Sequence, residues 1–183
     1  MIAYKGFNKG LVCRGYQFSD GENITDEANC AKNGFHSAEN PLDCITYYGN
    51  IKDSVYCIVE VSGDIDEDDC DSKIASTELR IIKQLRLEEL FLHALAFMVD
   101  HPKRTWSDHV TKDIATARYG YAVVRGSDPV ARGKLGDILA FAKEYKDCSE
   151  IEQVALARVD GKDILPDVWY GIDLKERQVE CFE

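Results

Sequence analysis

The sequence predicts an α+β protein: an N-terminal unit that is predominantly β with one long amphipathic helix, then a short β-roll with terminal hairpins. Three observations predict it. Residues 2 to 63 alternate short apolar runs with turn residues, the pattern of strands and loops. Leu87, Leu90, Phe91, Ala94, Leu95 and Met98 recur at helical spacing. Gly120, Gly126 and Gly133 punctuate Ala- and Val-bearing stretches at nearly equal intervals, which suits stacked turns.

Taken in order, Ile2 to Phe7, Tyr16 to Phe18 and Val55 to Val61 read as strands, VYCIVEV being the clearest. Asn40 is placed to cap a helix with Pro41 at its first position, running through Cys44 to Tyr48 and stopping at Gly49. Asp64 to Asp71 reads as an acidic loop, and Thr77 to Leu85 as a strand. The long helix covers residues 87 to 99 and is closed by His101-Pro102. A first domain of residues 1–100 is followed by a second of residues 101–183. The roll occupies residues 115–136. Strands at Asp137 to Ala142, Val154 to Val159, Val168 to Ile172 and Gln178 to Phe182 follow, with Asp160-Gly161 as a hairpin turn.

Composition narrows the function. A chain of 183 residues with 45% apolar residues can bury its own core, and a formal charge of −11 disfavours a phosphate backbone or an anionic membrane as the main partner. The apolar window Leu90 to Val99 is interrupted by His93 and is short of a membrane span, and the N-terminus lacks a signal-peptide pattern. Seven cysteines, an odd number with no export signal, read as reduced thiols of a cytoplasmic protein. No two histidines stand at metal-ligand spacing and there is no Cys-x-x-Cys, so neither a metal nor a cofactor is expected. In the acidic run, Asp64, Asp66 and Asp68 match the start of a calcium loop, but Asp69 and Ala75 stand where Gly and Glu are needed.

The stretches YKGFNKGLVCRGYQF (4 to 18), GFHSAENPLDCITYY (34 to 48), VEVSGDI (59 to 65), DSKIAST (71 to 77) and VDGKDILPDVWY (159 to 170) resemble a family of phage and prophage proteins from gut bacteria. The resemblance implies a mobile-element origin in a bacterial host cell. By analogy of origin and charge it suggests an anti-defence, anti-CRISPR-like inhibitor whose partner is a host protein with a basic surface, such as a nucleic-acid-directed nuclease complex. Asp64, Asp66, Glu67, Asp68, Asp69 and Asp71 would be its contact surface, occupying a groove built for phosphates. Direct nucleic-acid binding is not expected.

The order YKGF, GFHSAENPLDCITYY, VYCIVEV also looks like the front half of an ADP-ribosyltransferase-type fold. That likeness implies a nucleotide pocket with Tyr4, Lys5, His36, Ser37 and Tyr47 around a dinucleotide such as NAD, and Glu180 orienting the ribose. Lys5 stands where such enzymes carry Arg or His. His36 is otherwise a loop-anchoring residue, since imidazole serves either role. Arg118, Arg125 and Arg132 recur every seven residues and, on a roll, would stack as an anion-binding stripe with Lys134 nearby. Cys13 and Cys44 have no activating neighbour in sequence. Tyr47, Tyr48, Trp169 and Tyr170 are either core or an exposed anchor, and a self-associating virion component is the third reading.

Overall fold

The computed structural model describes residues 1–30, 32–67, 72–146 and 150–179. The chain divides into two compact units, Met1–Leu90 and Phe91–Glu183. Strand accounts for 51% and helix for 11%, so the protein is mostly β, which corrects the α+β class.

Unit 1 is built on β1 (Ile2–Asn8), β5 (Phe35–Ala38), β6 (Ser54–Glu67) and β7 (Lys73–Leu85), with β2 (Val12–Cys13), β3 (Tyr16–Gln17) and β4 (Glu22–Ile24) as short additions. β6 pairs antiparallel with both β1 and β7, and β5 also pairs with both, so the four strands close on themselves. Closure spares the long strands an open edge. Its core gathers Ala3, Phe7, Phe18, Phe35, Val59, Val61, Ile74 and Leu79. The seam is loose at one place. β1 meets β6 along seven paired positions from Ile2↔Glu60 to Asn8↔Ser54, but meets β5 at Tyr4↔Ala38. The five-residue helix α1 (Asp43–Tyr47) contacts both strands of that seam.

Two expectations for unit 1 are corrected. The acidic run from Asp64 to Glu67 is strand, because Ile65, Asp66 and Glu67 pair with Ser76, Ala75 and Ile74 of β7; Asp68, Asp69 and Asp71 lie outside the described residues. Asn40 does not cap the helix directly. Its carbonyl and side-chain oxygen accept the amides of Asp43 (3.1 Å) and Leu42 (3.1 Å), forming a tight turn that delays the helix to Asp43.

Helix α2 (Leu87–Asp100) spans the division between the units. It is a short helix of 14 residues, not the long amphipathic helix expected. Leu90, Phe91, Ala94, Leu95 and Met98 are buried, yet Leu92 is 49% and Val99 46% exposed, so its apolar residues do not keep to one face. No helix among the described residues is long and apolar enough to cross a membrane.

In unit 2 a six-stranded sheet takes the place of the roll expected at residues 115–136, and the strands after it do pair as hairpins, Ile138–Glu144 with Ile151–Arg158 and Trp169–Gly171 with Glu176–Arg177. Its order is β11 (Ile151–Arg158), β10 (Ile138–Glu144), β9 (Tyr121–Arg132), β12 (Trp169–Gly171), β13 (Glu176–Arg177), with β8 (Val110–Thr116) also on β9. β9 runs parallel to β8 and to β10, and Ile138–Ala142 is buried at every position, as suits a strand covered on both faces. The glycine spacing that suggested stacked turns has unrelated causes. Gly126 lies inside β9, where a Cβ would strike the Asp113 carboxylate, and Gly133 is hemmed by Asp137 and Ala117. The Asp160-Gly161 step is not a hairpin between the strands beside it, since β11 pairs with β10 and β12 with β9. Asp160 instead accepts the amides of Lys162, Asp163 and Ile164 through Oδ1 at 2.8–3.0 Å, closing a local loop.

The register of β6 against β7 shifts between Ser62 and Ile65, where Gly63 adopts φ +73 and Asp64 N–H donates to Thr77 Oγ1 (2.9 Å). A Cβ at Gly63 would meet Thr77 Oγ1 in a backbone region that side chains rarely occupy. Gly63→Ala is therefore expected to destabilise the protein by about 1–3 kcal/mol in urea unfolding; an unchanged midpoint would show the bulge to be relaxed.

Candidate functional site

The loose seam between β1 and β5 opens into a cavity of about 520 Å³ within unit 1. Strand β1 contributes Tyr4, Lys5, Gly6 and Asn8; β5 contributes His36, Ser37 and Ala38. The remaining wall comes from Cys44, Tyr47 and Tyr48 at α1, Cys13 and Arg14 at the β2–β3 turn, Cys30, and Lys73. Lys5, Arg14 and Lys73 are cations, and among the described residues no carboxylate lines the cavity.

Lys5 alternates with Ala3 and Phe7 along β1, so the pleat carries its side chain inward. It is 3% exposed. Its Nζ donates to the His36 carbonyl (2.5 Å), lies 3.8 Å from Cys13 Sγ, and sits 5.3 Å and 5.1 Å from the Phe7 and Phe18 ring centres. None of these partners is a carboxylate, and among the described residues no carboxylate lines the cavity beside it. Burial accordingly holds the ammonium below the usual lysine range.

Ser37 is buried at 5% exposure, and its Oγ has no hydrogen-bond partner. Such groups are rare and point to a missing partner. Tyr48 is set by two contacts: its ring lies where a Cβ on Gly6 would approach to 2.5 Å, and its carbonyl accepts the Tyr56 hydroxyl. The Tyr48 hydroxyl donates to Cys13 Sγ (2.8 Å), and burial raises its pKa. Behind the wall, Ser72 Oγ donates to Asp43 Oδ2 (2.6 Å) and accepts Asn40 N–H (2.9 Å), tying the approach to α1 to the start of β7. Lys73 Nζ lies over the Tyr47 ring at 5.9 Å.

The structure thus brings Tyr4, Lys5, His36, Ser37 and Tyr47 to one cavity, while Glu180 lies outside the described residues. Arg14 and Lys73 carry no signal in the sequence that marks them for this site. Cys13 has no activating neighbour along the chain, yet folding brings Lys5 and Tyr48 to its sulfur. Cys44 is a different case: it is buried, and its thiol is pushed up to about 12. Of the acidic run, Asp64 and Glu67 are exposed, whereas Asp66 accepts Cys30 N–H through Oδ2 (2.7 Å).

The arginine stripe does not form. Arg125 is 2% exposed, paired with Glu144 (2.8 Å), bonded to the Pro102 carbonyl and stacked on Trp106 at 4.7 Å. Arg118 stands exposed in a turn, and Arg132 lies over Trp169 at 4.6 Å. Strand alternation and pairing, not the seven-residue spacing, decide where each points. Lys134 pairs with Asp167 (2.8 Å). Tyr170 is core rather than an exposed anchor: it is buried, its hydroxyl accepting Leu165 N–H.

Fold and site together define a mostly-β module with a cation-lined cleft at a strand seam. The chain belongs to the family described as Domain of unknown function (DUF7666), whose model matches residues 1–93. Comparison with curated proteins and with solved structures finds no match. The matched segment contains every residue of the cleft wall.

His36 donates from Nε2 to the Asn29 carbonyl (3.3 Å), and burial, followed by its cationic neighbours, lowers its pKa from the ordinary 6.5. With its pKa lowered, the imidazole binds a proton less readily in the fold than in the unfolded chain. The stability this contributes is present above 6.5 and lost as pH falls through the lowered value. Urea unfolding at a pH above and a pH below that window should show the native protein losing more stability than His36→Gln; equal losses would contradict the assignment.

Proposed function

We propose that unit 1 binds a small anionic metabolite of the nucleotide class in the β1–β5 cleft. The observation that carries this reading is the buried Lys5 ammonium facing a cavity without a carboxylate, in a chain of net charge −11. A buried charge without a counter-charge costs several kcal/mol, and an entering phosphate or carboxylate would relieve that cost. Arg14 and Lys73 add positive charge, and Tyr4, Tyr47 and Tyr48 offer ring surface for a base. The cavity volume of about 520 Å³ suits a ligand of that size. The ADP-ribosyltransferase likeness points to the same residues, with NAD as the first dinucleotide to try. The reading is of a binding site; no bond-making step is assigned to it.

The phage-encoded, anti-defence reading is the lesser proposal. It rests on the exposed Asp64 and Glu67, and Asp66 is already engaged by Cys30.

Titration calorimetry with ADP, NAD and pyrophosphate tests the main proposal. Lys5→Met is expected to weaken binding by about tenfold or more, since a charge-assisted contact contributes roughly 1.5–3 kcal/mol. It should also leave the protein no less stable than the native chain, because an apolar replacement removes an uncompensated charge. Absence of binding at millimolar ligand, with folding intact, would overturn the proposal.

A further inference from the structure

We propose that Cys13 is a nucleophilic thiol of this cleft, placed to exchange with a low-molecular-weight anionic disulfide. The described cysteines differ in what surrounds their sulfur. Cys30 Sγ donates to the Asp66 carbonyl at 2.9 Å, so its proton is engaged. Cys44 and Cys57 are buried, and burial pushes their thiols up to about 12 and about 11. Cys13 is half-buried at the cleft wall, and its sulfur receives donors: the Tyr48 hydroxyl at 2.8 Å and the Lys5 ammonium at 3.8 Å. A sulfur surrounded by donors beside a cation is the setting that favours nucleophilic cysteine.

The backbone holds that setting in place. Cys13 pairs with Tyr16 across the two-residue turn Arg14-Gly15, whose φ values of 48 and 82 suit the tight hairpin turn that matches strand twist. The turn sets Cys13 and the Arg14 cation side by side on the cleft wall. Ser37, whose buried Oγ has no hydrogen-bond partner, lines the same cavity.

In the exchange, Cys13 Sγ attacks one sulfur of a disulfide R–S–S–R. A Cys13–S–S–R bond forms as the S–S bond of R–S–S–R breaks. The second sulfur leaves with the bonding electron pair and takes up the proton given up by Cys13, so Cys13 is oxidised and the leaving half is reduced to R–SH. Preference for an anionic R group rests on the anion-binding reading above; the reactivity of the thiol does not.

The test is a time course of the reduced full-length chain with glutathione disulfide and, in parallel, with uncharged hydroxyethyl disulfide, read by peptide mass mapping. Cys13 is expected to form the mixed disulfide about tenfold faster than Cys30, Cys44 or Cys57. Tyr48→Phe, which keeps the ring on Gly6, and Lys5→Met should both slow it, with folding checked by circular dichroism. Cys13 reacting no faster than Cys30, or at a rate indifferent to Tyr48→Phe, overturns the proposal. Faster reaction with glutathione disulfide than with the uncharged reagent supports both readings; equal, fast reaction with both supports the thiol and overturns only the anionic preference.

Discussion

The chemistry of the cleft in unit 1 turns on the Lys5 ammonium held among apolar side chains. Ala3 and Phe7 flank it on the inward face of β1, and the Phe7 and Phe18 rings lie close to it. The contacts that keep it there are a backbone carbonyl, ring faces and a sulfur. None of these carries the full negative charge of a carboxylate, so the free protein holds a cost that a ligand can relieve. Strain of this kind is tolerated where the surrounding fold enforces it. Here the enforcing elements are the ladder of β1 with β6 and the tie between Asp43 and Ser72.

The same loose seam accounts for the cavity, the lysine and the thiol together. Where β1 and β5 stop pairing beyond Tyr4↔Ala38, the Lys5 side chain reaches the His36 carbonyl across the gap. The turn after β2 and the end of α1 then close over the space with Cys13, Arg14 and Tyr48. A regular ladder at this seam would have filled the gap with backbone hydrogen bonds and left no concave surface. The site is thus a consequence of incomplete barrel closure rather than an insertion upon it.

Much of this site was legible in the sequence, though for uneven reasons. Strand alternation in IAYKGFN puts Ala3, Lys5 and Phe7 on one face, but the burial of that face is a product of the fold; in the sequence it was the ADP-ribosyltransferase likeness that grouped Lys5 with Tyr4, His36, Ser37 and Tyr47. GFHSAENPLD and DSKIAST are explained by contacts the structure supplies: Asn40 makes the turn, and Asp43 meets Ser72. The environment of Cys13 was not legible, because its partner Tyr48 is 35 residues away and only folding joins them. The acidic run misled because charge alone suggested a loop, whereas β7 offers pairing partners for Ile65 to Glu67. Evenly spaced glycines misled in unit 2 because Gly126 makes room for a neighbouring carboxylate and Gly133 for two packed side chains.

The state of the buried ammonium is read from the pKa of Lys5, followed by NMR through its side-chain Cε signals in the free protein and in the pyrophosphate-saturated protein. The free-state value should lie below the ordinary 10.5, because burial disfavours the charge, and should rise on saturation as the anion supplies the missing counter-charge. An ordinary value in the free protein, or one that saturation leaves unmoved, would contradict an uncompensated ammonium at Lys5.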